Sequence, residues 1–311
     1  MQVQTINLTK SYPGNVTAVQ PMNIQLADGI VGLLGPNGAG KTTFMRMLAT
    51  LLEPSSGTAL VDGNDIRYDK PAVRALLGYL PQDFGLYPSL SVVECLDYMG
   101  LLAGINKTKE RRARIETMLE RVNLTEFRHR KVGALSGGMK RRLGIAQAIL
   151  HEPRLVIFDE PTAGLDPEER IRVRNLLSEL GGDRIVILST HIVADIASSA
   201  QTIAVMNRGS IIFHGEPAAM IERVRGKTWQ VLTDDAGHDM LRKQYSVIEV
   251  QREATGVLVR LVGEQIDYPG VEPRDPTLED AYVWLMSERT GESPRIEVPE
   301  LIAPRQGQTS L

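Results

Sequence analysis

Ile30, Val31, Leu33 and Leu34 form a near-continuous apolar run, the pattern of a strand buried on both faces of a parallel sheet. Beyond a glycine-rich turn, Phe44, Met47, Leu48, Leu51 and Leu52 recur at i, i+3, i+4, i+7 and i+8. That spacing predicts one face of a helix beginning near Lys41 and stopped by Glu53-Pro54-Ser55-Ser56-Gly57. Further strands are predicted at 2–8, 24–26, 58–63 and 76–80, and continuous buried ones at 155–158 and 185–190. A hairpin at 203–213 turns at Asn207-Arg208-Gly209-Ser210. Ser11-Tyr12-Pro13-Gly14 reads as a loop.

Helices account for the intervening segments. Residues 89–122 hold two, the first opened by a Ser91/Glu94 capping box. The second sets Ile115, Met118, Leu119 and Val122 against Glu110, Arg111, Arg112 and Arg114, a charged face read as solvated. Ser136 caps a helix with Met139, Leu143, Ala146 and Leu150 at helical spacing, whose Lys140, Arg141 and Arg142 read as surface charge. Asp166 caps the next, with Pro167 at its first position and Glu169 completing a capping box, and a last one runs from Pro217 to about Val224.

The composition shifts after Gly226. Short strands at 227–232 and 245–262 and a helix opened by Pro276-Thr277-Leu278-Glu279-Asp280 predict a small α+β domain over 226–288. From 289 to 311, Pro294, Pro299, Pro304 and polar residues predict a tail that is disordered or bound to a partner. The 311 residues suit about two domains, and 42 % hydrophobic content suffices for a sizeable core. A net charge of -3 offers no reason to expect nucleic acid. Cys95 is the only cysteine, so no internal disulfide or cysteine metal site is expected. Without an apolar run of about 18 residues or a secretory signal, a soluble cytoplasmic chain is predicted.

The chemistry begins in the turn after the first buried strand. Gly35, Gly40, Lys41 and Thr42 stand at the G-x-x-x-x-G-K-[ST] spacing of a P-loop. Its glycines bring backbone N–H groups close to phosphate, Lys41 adds charge and the Thr42 hydroxyl suits Mg²⁺. Kinase, GTPase and ATPase all remain open at this point. Gln82 leaves the carboxyl end of a strand, where α/β folds bind ligands. Ser136-Gly137-Gly138 exposes backbone donors at a helix start, or is only a well-capped helix. Asp159 and Glu160 end a buried strand, where a cation must meet them; the first suits Mg²⁺ and the second an attacking water. His191, at the end of 185–190, suits a γ-phosphate contact. Tyr12 offers a face for an adenine or packs locally in its turn.

Together these residues resemble the ATP-binding subunit of ABC transporters over about residues 2–222. Tyr12 matches the adenine-stacking aromatic; Gly35, Pro36, Asn37, Gly38, Ala39, Gly40, Lys41, Thr42 and the following Thr43 match the phosphate loop. Gln82 matches the Q-loop glutamine and Leu135 to Met139 the family signature, with Met139 where glutamine is usual. Asp159 and Glu160 match the Walker B aspartate and catalytic glutamate, Asp166 the D-loop and His191 the switch histidine. The second unit, with its 275–285 stretch DPTLEDAYVWL, resembles the C-terminal extension of drug, antibiotic and polysaccharide exporter ATPases.

The resemblance implies an α/β P-loop core of ABC-ATPase type over 1–225, with an antiparallel N-terminal β-subdomain and a helical signature subdomain at about 83–150. It implies ATP and Mg²⁺ as ligands, the metal held by Thr42, Gln82 and Asp159, with Glu160, His191 and Gln82 catalytic. Tyr12, the phosphate loop, Ser136, Gly137, Gly138 and Asp166 would bind nucleotide across a head-to-tail dimer. The implied partners are a second ATP-binding subunit and a transmembrane permease, at the cytoplasmic face of the membrane, with no nucleic acid. A soluble ABC-type ATPase acting on ribosomes or DNA is the alternative. The 226–288 domain is expected to stabilise the dimer or to regulate it.

Overall fold

A computed structural model describes residues 1–290. Two compact units divide it, Met1–Ala219 and a second that begins at Met220. In chain order the first unit opens with β1 (Gln2–Tyr12), β2 (Val16–Met22), β3 (Gln25–Ala27), β4 (Gly29–Leu34), α1 (Lys41–Leu48), β5 (Ser56–Val61) and β6 (Asn64–Asp65). It continues with α2 (Lys70–Leu76), β7 (Leu77–Leu80), α3 (Val92–Leu102), α4 (Thr108–Arg121), α5 (Gly137–Ile149), β8 (Leu155–Asp159), α6 (Pro167–Ser178), β9 (Ile185–Thr190), β10 (Thr202–Asn207) and β11 (Ser210–Gly215).

β1 pairs antiparallel with β2, β3 and β5. Tyr12 is the last residue of β1, opposite Val16, and not part of a loop. The strand β2 escapes the sequence reading because Pro21 interrupts it; a proline is tolerated there because β2 is an edge.

The second sheet runs β11-β10-β4-β9-β8-β7, parallel throughout except for β11. Every residue of β8 and β9 is buried, including the polar Asp159, Ser189 and Thr190 that end the apolar runs 155–158 and 185–188. The carboxyl ends of β4, β7, β8 and β9 therefore open on one side of the sheet, and the loops leaving them share one crevice. α1 fastens to that sheet through Phe44, Met45, Met47 and Leu48, which join Val31, Leu33, Ile157 and Ile187 in one core. The helix is shorter than its periodicity predicts. It stops at Leu48, Thr50 takes a left-handed φ of 58°, and Leu51 is left 60 % exposed.

The helical segment departs from expectation at Arg111. This arginine is buried, not solvated: its stem lies over Gly100, Nε donates to Asp97 Oδ1 at 2.7 Å and a terminal nitrogen donates to the Ile105 carbonyl at 2.8 Å. Its charge is thus matched by α3 and the α3–α4 turn, which allows burial. The Ser91/Glu94 capping box forms in both directions.

The short helix α7 (Pro217–Glu222) precedes β12 (Thr228–Thr233), α8 (Asp235–Gln244), β13 (Ser246–Glu253), β14 (Gly256–Val262), β15 (Glu272–Pro273) and α9 (Leu278–Thr290). These strands form an antiparallel sheet of order β13-β14-β12-β15. Val231, Leu241, Val257, Val259 and Leu261 make its core. Asp280, fully buried, accepts from Arg260 Nε at 2.9 Å, from a second Arg260 nitrogen at 2.6 Å and from the Thr277 hydroxyl at 2.8 Å. The Asp-Pro-Thr-Leu-Glu-Asp stretch is therefore a buried ion pair that fixes the start of α9 to β14. α9 continues through Thr290, past the expected start of the tail at 289; the remainder of that tail lies outside the described residues. Among the described residues no helix is long and apolar enough to cross a membrane.

Gly78 in β7 tests how tightly this sheet is packed. A Cβ there would stand 2.0 Å from the Ala148 carbonyl oxygen of α5, whereas one at Gly85 would meet nothing within 4 Å. Gly78→Ala is expected to lower stability by roughly 1–3 kcal/mol, and Gly85→Ala to leave it nearly unchanged, in thermal melts of the two variants.

Candidate functional site

Three loops bring charge to the crevice. The first joins β4 to α1. Gly35 (φ 154°) and Gly40 (φ 103°) take conformations costly for other residues, and side chains there would strike the carbonyls of Met206 and Ala18 at 2.2 and 2.3 Å. No side chain caps α1, so the amides of its first turn face the loop interior. Lys41 is 6 % exposed, and its Nζ donates to Gly35 O at 2.6 Å and to Pro36 O at 3.2 Å. Burial lowers its pKa, opposed by the nearby charges of Glu160 and Asp159.

The second group sits at the end of β8. Asp159 is 1 % exposed; Oδ1 accepts from the Ser189 hydroxyl at 2.7 Å, while Oδ2 is buried without a hydrogen-bond partner. Glu160 follows at φ 50°, a left-handed backbone that turns its carboxylate away from the strand. Its amide donates to Ser189 Oγ at 3.0 Å. The third group leaves β9, where His191 Nδ1 lies 3.0 Å from Glu160 Oε1 and 3.1 Å from Oε2. An ionised carboxylate only accepts, so Nδ1 is the donor of this bond.

Ser189 was not singled out in the sequence, yet it ties both carboxylate-bearing residues to β9. The signal was a Ser-Thr pair ending the apolar run 185–188, with Ser189 two residues before His191.

Gln82 is exposed in the loop after β7, and its main-chain carbonyl accepts from Arg141 at 3.3 Å. Arg141 also lies over the Phe84 ring at 5.1 Å. Neither Arg141 nor Arg142 is surface charge: they are 8 % and 5 % exposed. Arg142 donates to both Glu169 oxygens, at 3.1 and 3.3 Å, and to the Val122 carbonyl at 2.6 Å. Glu169 accordingly does not complete a capping box. Asp166 caps α6 by accepting from the Glu169 amide at 2.9 Å, but the Glu169 carboxylate goes to Arg142 and Arg172.

Ser136 caps α5 by accepting from the Met139 amide at 3.2 Å. Ser136 and Gly137 are exposed, and Gly138 is covered by the Glu169 carboxylate, 2.7 Å from where a Cβ would stand. Met139 points inward at 9 % exposure, which suits an apolar residue where the family signature has glutamine. Tyr12 is 40 % exposed with Lys10 5.4 Å from its ring centroid. The structure thus gathers Lys41, Asp159, Glu160 and His191 into one polar crevice; Ser136–Gly138 and Asp166 have hydrogen-bond partners elsewhere.

The buried, unpartnered Asp159 Oδ2 and the Thr42 hydroxyl at the start of α1 fit a divalent cation of the Mg²⁺ kind, which needs only one or two protein ligands beside phosphate and water. Among the described residues no group of three or more His, Cys, Asp or Glu side chains forms a closed metal cage.

A family model described as "ABC transporter" matches residues 19–163. The chain is 34 % identical to the probable multidrug ABC transporter ATP-binding protein YbhF of Escherichia coli over 99 % of its own length, and spans 56 % of that protein. It is 32 % identical to the daunorubicin resistance ATP-binding protein DrrA3 of Streptomyces coeruleorubidus, covering 94 % of this chain and 97 % of the relative. A dimeric structure of the ATP-binding cassette MJ0796 in a post-hydrolysis state with ADP and Pi superposes with a TM-score of 0.62 at 25 % identity, over 69 % of this chain and 98 % of that one.

Ser189→Ala removes, among the described residues, the side-chain donor to Asp159 Oδ1 together with the hydroxyl acceptor of the Glu160 amide. The protein without nucleotide is expected to lose about 1–3 kcal/mol of stability. Urea denaturation would measure it, and an unchanged midpoint would contradict the assigned bond.

Proposed function

The chain belongs to the ATP-binding proteins of ABC transporters, and on that premise we propose that it is the ATP-hydrolysing subunit of an exporter whose membrane-spanning part is a separate chain. The observation that carries the hydrolytic reading is the Glu160–His191 pair, 3.0 Å apart in the crevice that also holds Lys41 and Asp159. ATP lies with its phosphates against the amides of Gly38 to Thr43 and its adenine on Tyr12. Mg²⁺ held by Thr42, Asp159 and Gln82 would neutralise charge on the β- and γ-phosphates. Glu160 orients the attacking water and takes its proton as the water oxygen bonds to the γ-phosphorus and the bond to ADP breaks. His191, its ring fixed through Nδ1–H, presents Nε2 toward the γ-phosphate.

Ser136 and Gly137 are exposed and form no hydrogen bond with the P-loop of their own chain, which suits them to the ATP of a second copy. Two copies head to tail then enclose two nucleotides, and ATP favours the closed dimer by binding it better than the open one. Loss of the γ-phosphate reopens it. The Gln82 loop and the helical segment α3–α4 relay this motion to the permease, which holds the chain at the cytoplasmic face of the membrane. The names of the relatives, a multidrug transporter and a daunorubicin resistance protein, support export. The second unit is read as a brace for the dimer.

Two measurements follow. Glu160→Gln is expected to bind ATP and elute as a dimer while hydrolysis falls by about 10²-fold or more; Lys41→Ala is expected instead to weaken ATP binding itself. Substantial turnover by Glu160→Gln would remove Glu160 from its assigned role. Purified from detergent-solubilised cells, the chain is expected to carry a stoichiometric membrane protein; co-purifying ribosomes or DNA would favour the alternative of a soluble ABC-type ATPase.

A further inference from the structure

We infer that Asp195 is a positioning residue for the Glu160–His191 pair, an assignment that rests on the hydrolytic reading above. Asp195 ends the short turn Val193–Asp195 that follows His191, and it is only 5 % exposed. Its Oδ2 accepts from the Thr162 hydroxyl at 2.6 Å, and its Oδ1 accepts from Arg170 Nε at 2.7 Å. Thr162 lies just beyond Glu160 in the chain.

Segments 160–162 and 191–195 are therefore joined twice. One link is Glu160 to His191, the other Thr162 to Asp195. A single side-chain bond fixes a distance but lets two loops pivot about it; a second bond a few residues away fixes their relative angle. The imidazole of His191 can then meet Glu160 in one orientation before any nucleotide arrives.

Burying the Asp195 carboxylate demands a compensating charge, and Arg170 supplies it. Arg170 belongs to the first turn of α6, beside Glu169, whose carboxylate holds Arg142 of α5. Arg174, one turn further on, donates to the Ala194 carbonyl at 3.3 Å. One face of α6 thus grips the turn after His191 while a neighbouring residue grips the helix that Ser136 caps. Asp195 is where the switch histidine, the Glu160 segment and α6 converge.

The test is steady-state Mg²⁺–ATP hydrolysis by the full chain carrying Asp195→Asn, which keeps the size and removes the charge, or Thr162→Val, which spares the Asp195–Arg170 pair. Each is expected to lower kcat about tenfold with the KM for ATP within about twofold of wild type. In a His191→Ala background neither is expected to lower kcat further, because both act through the imidazole. The His191 ring signal in NMR spectra of the nucleotide-free protein is expected to move in both variants. If Asp195→Asn does not fold, Thr162→Val carries the same measurements. An unchanged kcat, or equal losses with and without His191, would overturn the assignment while leaving the hydrolytic reading in place. A wild-type chain without ATP hydrolysis would overturn that reading, and the Asp195 assignment with it.

Discussion

A carboxylate with 1 % of its surface exposed stands at the end of a wholly apolar strand, and one of its oxygens has no hydrogen-bond partner. An isolated buried charge of this kind costs several kcal/mol, so the fold is tenable only if the surroundings are built to meet Asp159. Ser189 answers one oxygen directly, and Lys41 sits close enough to feel the charge. The left-handed backbone at Glu160 follows from the same geometry, since the chain must turn sharply out of the sheet immediately after Asp159. Strand, hydroxyl, lysine and strained residue are consequences of placing one negative charge where a parallel sheet ends.

What moves with what is decided around α6. Its cap, Asp166, closes the loop that starts at Glu160. Its first turn then divides the labour between neighbours: Glu169 pairs with Arg142 in α5, and Arg170 with Asp195. Both pairs place a carboxylate out of water, Glu169 against buried Arg142 and Asp195 against half-buried Arg170, so removing either arginine would strand that charge. Parts of the site that lie apart along the chain are thereby linked through α6, and the Glu169 side chain already stands 2.7 Å from where a Gly138 Cβ would be.

The parallel core and the phosphate loop were legible in the sequence because each is written in repeated signals: uninterrupted apolar runs in β4, β8 and β9, a glycine spacing, and a helix with a clear apolar face. The ordered run of motifs through His191 identified the family, which the comparisons bear out. Arg111, Arg141 and Arg142 were misread because a charged residue on a helix is ordinarily solvated, and nothing local announces that carbonyls and carboxylates from distant segments will surround it. Ser189 and Asp195 were overlooked for a related reason. A single hydroxyl or carboxylate has no periodicity, and its partners at Asp159 and Thr162 become neighbours only through the pairing of β8 with β9. Alternation concealed β2 because Pro21 reads as a breaker, although an edge strand accepts one.

Lys41 does not project into solvent. Its ammonium lies against the loop's own carbonyls, 2.6 Å from Gly35 O. On the reading proposed above, binding is an exchange: whatever enters must draw the ammonium off two neutral oxygens and offer it something better. A polyphosphate does so by charge. A free nucleoside, however well its base stacks, offers nothing in return, so the loop screens its ligands by ionic character before shape is consulted.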